Sequence, residues 1–353
     1  MSTEDESGPE FRMVPEESQQ HFRLLELPAD LLNVLTSVDA PTLKLKSQEG
    51  PSGNVLESQI VLCTPDKTYA LRQVSTSNSV YVVRPGTSSN SSPDQPTLDA
   101  IAQPQSTLEL QPAKGASAAS YIKAALPTYT PTGHTGSTTK VSKQQLFANI
   151  PLSDGECEQV WTDLACFEPE GESYAIVPSD SVKLQAWEAM FATATAMGVD
   201  MTHSLHETSQ REITTSETEW PEELSRALLR SMTAMPPSLP NEIQLDGDKS
   251  AQMLGRALLK DLTGSGQQPV SIMSFETKWA DLLPERWRGK ADIKLLEGTY
   301  KEQHGGETLT FIESEVSKEV AAASSAAAPA EAKSTLGAKR KWHEKFRASM
   351  KIA

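Results

Sequence analysis

Apolar and polar positions along this chain change period near residue 140, from short alternating runs to helical spacing. The sharpest alternation is Ser58–Val83, SQIVLCTPDKTYALRQVSTSNSVYVV. Ile60–Cys63 is an apolar run, Pro65-Asp66-Lys67 supplies turn chemistry, and Thr68–Val74 alternates. Ser75–Ser79 turns again, and Val80–Val83 is β-branched and aromatic. The pattern predicts a three-stranded meander, which is marginally stable alone and leaves unpaired edges. Upstream, His21–Leu27 predicts a strand, Pro28–Leu35 a short helix entered through Pro28, Thr42–Lys46 a strand and Glu49–Asn54 a loop. Downstream, the Ser/Asn/Pro/Gln-rich tract after Arg84-Pro85-Gly86, to about Gln105, reads as an insertion loop. Thr107–Leu110 then predicts a strand, and Ser117–Leu126 a helix stopped by Pro127. The first domain is expected to end near Tyr129, with Pro131–Thr139 as linker.

Beyond the linker, Val141–Ile150 has Leu146 and Phe147 on one helical face. Ser153 followed by Glu156 is a capping box opening a helix striped by Cys157, Val160, Trp161 and Leu164. Tyr174–Val177 predicts a strand, and Ser179 or Asp180 caps a long helix through Val182, Leu184, Trp187, Met190 and Phe191. This order matches a small winged-helix unit. It recurs with variations: helices over Trp220–Met232, Asp246–Leu262 and Ser271–Leu283, a strand at Ile243–Leu245, and a wing-like hairpin ending in Thr308–Ile312. The predicted layout is a disordered acidic stretch over 1–20, a β-rich assembly domain over 21–130, and winged-helix units over 140–215 and 216–313. An Ala/Ser-rich linker over 314–338 and a basic tail over 339–353 follow. The fold class is α+β, with an N-terminal β-barrel-type domain completed by partner subunits.

Composition narrows the function. The 353 residues are 37% hydrophobic with 23 Pro, which suits several modest cores joined by polar connectors better than one large enzyme core. A net charge of −15 leaves non-specific nucleic-acid binding to local patches only. Two such patches occur. Lys339, Arg340, Lys341, Lys345, Arg347 and Lys351 accompany Trp342 and Phe346, and Arg286, Arg288, Lys290 and Lys294 surround Trp287. The first also suits a solubilising or nuclear-import tail, and the second an ordinary surface around a core Trp. Glu4, Asp5, Glu6, Glu10, Glu16 and Glu17 give the opposite end the opposite sign.

Three cysteines, Cys63, Cys157 and Cys166, lie in or beside apolar runs without regular spacing, as expected of small buried hydrophobes in a reducing compartment. With no signal-peptide pattern and no long apolar run, the expected setting is soluble and intracellular. Enzyme signatures fail: Gly264-Ser265-Gly266 lacks the Lys and Ser/Thr of a phosphate loop, and His203 and His206 have no Cys or His partners for a metal. No catalytic residue, metal or cofactor is expected.

The blocks FRLLELPADLL, VLCTPDKTYALRQVSTSNSVYVV, STLELQPA with SYIKAALPTY, SKQQLFANIPLSDGECEQVWTDL with YAIVP, IQLDGDKSAQMLGRALL and SFETKWADLLPERW, in this order, resemble the sister chromatid cohesion protein Dcc1 family over about residues 21–312. The resemblance implies a non-catalytic nuclear subunit of the alternative replication factor C clamp loader. Such a subunit helps load or unload the sliding clamp at replication forks and supports cohesion. It further implies a shared β-barrel with subunits of the Ctf-eighteen and Ctf-eight type, and winged helices that meet DNA polymerase epsilon and DNA. Partner-binding residues on this reading are Phe22, Leu24, Leu25, Ile60, Leu62, Tyr69, Leu71, Val80, Tyr81 and Val82. Nucleic-acid-binding residues are Arg286, Arg288, Lys290, Lys339, Arg340, Lys341, Lys345 and Arg347. Of the family's final winged helix, only Lys341-Trp342-His343-Glu344-Lys345-Phe346 resembles the start. The alternative is a free-standing winged-helix DNA-binding factor.

Overall fold

The computed structural model describes residues 10–15, 21–48, 59–75, 78–86, 97–113, 117–136, 140–216, 219–233, 242–264, 266 and 268–312. The expected loop over 49–54, the linker over 314–338 and the basic tail over 339–353 lie outside these residues, as does most of the acidic stretch over 1–20.

The architecture is α+β. Two sheets form the N-terminal part. The larger contains β2 (Leu24–Glu26), β3 (Lys44–Gln48), β4 (Gln59–Cys63), β5 (Thr68–Ser75) and β8 (Ser106–Pro112), in the order β2-β8-β5-β4-β3. The smaller contains β1 (Glu10–Met13), β6 (Val82–Pro85) and β7 (Thr97–Ala102), with β7 in the middle. Neither closes into a barrel among the described residues, so β2, β3, β1 and β6 are open edges.

Period-two alternation assigns the faces of the larger sheet. Leu62, Tyr69 and Leu110 point to one face, where they bury Leu31 of α1 (Ala29–Leu35). Tyr69 Oη donates to Asp30 at 2.8 Å, and burial together with this acceptor pushes the phenol up to about 12. Val61, Cys63 and Thr68 point to the opposite face, toward the helices that follow.

Three expectations about this region are corrected. Val80–Val83 is not the third strand of a meander: β6 starts at Val82 and pairs with β7 in the smaller sheet. The tract between Gly86 and Gln105 is not wholly loop, because β7 lies inside it with Ala100, Ile101 and Ala102 buried. Small apolar residues among Ser, Asn and Pro scarcely raise local hydropathy, so only pairing reveals them. The acidic start is not disordered throughout: β1 runs parallel to β7, and Arg12 pairs at 3.1 Å with Asp99, whose side chain is buried.

Ser117 caps α2 (Ala118–Ala125), accepting from the Ala119 N–H. The expected linker is also corrected. β9 (Pro127–Thr130) and β10 (Gly133–Gly136) form a hairpin, and β11 (Val177–Pro178) adds parallel to β9. Local Pro and Gly content suggested a linker, but β10 folds straight back on β9, whose other edge is taken by β11 some fifty residues on.

The expected capping box of Ser153 and Glu156 forms on α4 (Asp154–Asp163), and Ser142 and Gln145 make a second, unforeseen one on α3 (Lys143–Asn149). Ser179 caps α5 (Asp180–Ala196), accepting from the Val182 N–H. The pair β12 (Leu205–His206) and β13 (Glu242–Ile243) brackets α6 (Glu207–Ser216) and α7 (Glu222–Ser231). Sequence reading missed α6, a polar helix anchored by only Ile213 and Thr214. Asp246 caps α8 (Gly247–Leu262), accepting from the Asp248 and Lys249 N–H groups. Then β14 (Val270–Ser271), α9 (Ile272–Asp281) and the hairpin of β15 (Tyr300–Gln303) and β16 (Thr308–Phe311) complete the order. Its turn holds Gly305 and Gly306 at φ +71° and +91°, values that favour glycine.

One apolar cluster runs from Ala165 to Phe311, so the two helical stretches pack on a common core. Trp187 and Trp279 are its largest members, both 0% exposed, and each indole N–H is satisfied: Trp187 donates to the Leu282 carbonyl and Trp279 to the Ala251 carbonyl. A second cluster joins α2, α3 and α4 through Ile122, Leu146, Cys157 and Trp161.

Candidate partner-docking surface

The chemistry-bearing feature of the β-rich part is what its sheets leave uncovered. On the α1 side of the larger sheet, Leu45, Ile60 and Leu25 continue the rows that begin with buried Leu62 and Leu110. Leu45 stands opposite Leu62, and Leu25 opposite Leu108. Yet Leu45 is 68% exposed, Ile60 45% and Leu25 44%. α1 is only seven residues long and covers the middle of this face alone. In the smaller sheet Phe11 and Met13 on β1 and Val83 on β6 are also exposed. Large apolar side chains beside open strand edges mark an interaction surface.

The opposite face of the larger sheet is fastened to the helical part. Lys46 reaches through with its side chain 7% exposed, donating to the carbonyls of Leu152 at 2.6 Å and Phe147 at 2.8 Å and pairing with Asp154 at 3.0 Å. Lys44 pairs with the same carboxylate. Burial pushes the Asp154 carboxyl up, but hydrogen bonds from Lys44 and Lys46 outweigh it and hold the group below its ordinary value. Next to it, the Thr64–Lys67 turn docks on the start of α4. The Gly155 N–H donates to the Pro65 carbonyl at 2.7 Å, and the Ser153 N–H to Thr68 Oγ1 at 2.7 Å. Gly155 is required here, since a Cβ would come within 2.9 Å of the Pro65 oxygen. The segment Leu62–Arg72 therefore serves the junction as well as the sheet, which its alternation alone did not indicate.

The sequence-predicted partner residues divide accordingly. Phe22, Leu25, Ile60, Val80 and Tyr81 are exposed, and Leu24, Leu71 and Val82 are half-buried. Leu62 and Tyr69 lie in the core against Leu31. Leu24, Leu25, Ile60, Leu62, Tyr69 and Leu71 share the larger sheet, whereas Val82 lies in the smaller one, after Val80 and Tyr81. The reading missed Leu45, Phe11 and Met13. For Leu45 the signal was present, because the Thr42–Lys46 alternation placed it in phase with Leu43.

The cationic patch around Trp287 sits on a 3-10 helix, Glu285–Lys290, with Trp287 buried beneath it. Two of its cations are engaged within the chain. Arg286 contacts His203 Nε2 at 2.9 Å, with His203 Nδ1 in turn 3.0 Å from Asp200, and Lys290 donates to Asp248 at 2.6 Å. Arg288 is exposed. Lys339, Arg340, Lys341, Lys345 and Arg347 lie outside the described residues. His206 contacts Thr208 instead of joining His203. Among the described residues no cluster of three or more His, Cys, Asp or Glu could hold a metal, and no helix is long and apolar enough to cross a membrane.

All three thiols are free and buried. Burial pushes Cys63 up, Cys157 up to about 11 and Cys166 up to about 12, so none is a ready thiolate.

A family model described as sister chromatid cohesion protein Dcc1 matches residues 22–322. No curated protein matches the chain.

Proposed function

The chain belongs to the sister chromatid cohesion protein Dcc1 family, and on that premise we propose that its open sheets are the surface on which it assembles with partner subunits of a replication factor complex. The observation that carries this reading is the apolar set Leu25, Leu45 and Ile60 beside β2 and β3, edges that have no second neighbour among the described residues. An edge strand offers its N–H and C=O groups to an incoming strand, and the alternate side chains of that strand cover the exposed leucines. The partners on this reading are clamp-loader subunits of the Ctf-eighteen and Ctf-eight type. The complex loads or unloads the sliding clamp at replication forks, in the nucleus, and ATP hydrolysis belongs to its other subunits.

The helical part would tether DNA polymerase epsilon and DNA. The order α7, α8, α9 and the β15–β16 hairpin supports a winged-helix reading of residues 216–313. Direct duplex contact through the Trp287 patch is disfavoured by the pairing of Lys290 with Asp248 and the hydrogen bonding of Arg286 to His203 inside the chain. That pairing also weighs against a free-standing DNA-binding factor.

The test is co-purification. Leu45→Asp with Ile60→Asp places two charges on the proposed contact and is expected to weaken capture of the co-expressed clamp-loader subunits at least 100-fold, roughly 3 kcal/mol. Both positions are exposed, so the melting temperature of the variant alone should move little. Undiminished capture by the double variant would overturn the proposal.

A further inference from the structure

A groove of about 720 Å³ opens between α5, α8 and α9, floored by Phe191, Ala192, Ala196, Leu258 and Leu282. Phe191 stacks on buried Trp187 with ring centroids 6.1 Å apart and planes 3° from parallel, which makes the floor rigid. Glu188 and Asp281 stand at the rim with Lys278, and neither carboxylate has an ion-pair partner among the described residues. The volume falls in the range of sites that enclose a few large apolar groups, roughly 300–1,000 Å³.

We propose that this groove is occupied by the chain's own segment Lys341-Trp342-His343-Glu344-Lys345-Phe346, seated through Trp342 and Phe346. These two aromatics are four residues apart, the spacing that a helical turn, once seated, would bring to one face as a paired apolar anchor of the size the floor accepts. The charges are complementary. Lys341, Lys345 and Arg347 flank the anchor and meet Glu188 and Asp281, while Glu344 answers Lys278.

The tether reaches. The described chain stops at Ile312, immediately after Phe311, whose ring lies 5.8 Å from the Lys260 ammonium, and Lys260 is two residues along α8 from Leu258 in the floor. Residues 313–340 span roughly 30 Å even when far from extended. A tether of that reach holds the segment at an effective concentration of about 1 mM, so an intrinsic Kd near 0.1 mM gives about tenfold protection of the groove. The inference is independent of strand capture: a chain that bound no partner subunit would leave it standing.

Hydrogen exchange on the full chain tests it, against a chain ending at residue 338. Amides over 188–196 and 278–282 are expected to exchange about tenfold faster in the shortened chain. A peptide of residues 339–353 should restore protection saturably with a Kd of about 0.1 mM, and the same peptide carrying Trp342→Ala and Phe346→Ala should not. In the full chain, Ala196→Glu should release the protection without any deletion. Identical exchange in the full and shortened chains would overturn the proposal. So would protection that rises with protein concentration, which would assign the groove to a second copy.

Discussion

Replacing Lys46 with methionine should lower stability by about 3 kcal/mol, although the substitution preserves length and most of the side-chain volume. The ammonium is buried where the larger sheet meets α3 and α4, and all three of its interactions are charge-assisted. Hydrogen bonds to charged groups contribute about 1.5–3 kcal/mol each, and the variant leaves the Leu152 and Phe147 carbonyls without their donor. Asp154→Asn should cost less, about 1 kcal/mol or below, because the Asp154 side chain is 42% exposed and solvent screens its pairing. Urea unfolding of the two variants gives the comparison. Equal midpoints for Lys46→Met and the parent would show that the junction contributes nothing.

The acid limb of the same experiment carries a sign. Asp154 is held below its ordinary value of 3.8, so its contribution is complete above that pH and lost as the pH falls below it through the lowered folded value. Lys46→Met removes one of the two cations responsible, and its stability should fall less steeply with acid than the parent's.

Trp279→Ala should cost about 4 kcal/mol, the range for removing a fully buried indole, and it also removes the indole N–H bond to the Ala251 carbonyl. The neighbouring Gly255 supplies the sharper test. Helix propensity predicts that alanine at this position inside α8 would stabilise by about 1 kcal/mol. Yet a Cβ at Gly255 would come within 2.3 Å of the Trp279 ring, inside a core with nowhere to move. Gly255→Ala should therefore destabilise by about 1–2 kcal/mol, the overpacking cost exceeding the propensity gain. In the Trp279→Ala background the new methyl has room, and the double variant should be more stable than the sum of the two losses. Additive losses would mean the clash is relieved elsewhere.

The legible parts of this fold are those whose signals lie within a few residues. Ser153 with Glu156, Asp246 ahead of α8 and Pro127 after α2 each act on backbone groups one turn away, so spacing alone located those helix ends. The β4–β5 pair was readable because Thr64 to Lys67 sets its register locally. The missed elements obtain their energy from distant partners. β7 is held by β1 and β6, the β9–β10 hairpin gains its third strand only from the distant β11, and α6 carries two buried residues in an otherwise polar helix. The candidate surface divided the same way. Alternation identified which side chains share a face, but not that α1 is too short to cover Leu45 and Ile60, nor that Leu62 and Tyr69 lie beneath it.

From residue order alone followed the α+β class, most helix ends, the inert cysteines and the family resemblance, because caps, turns, periodicity and motif order are local or linear properties. Tertiary structure alone decided that Val82 leaves the larger sheet, that Lys46 fastens that sheet to α3 and α4, and which leucines remain uncovered. Those outcomes rest on which surfaces meet across long stretches of chain, and burial is a property of the meeting, not of either segment by itself.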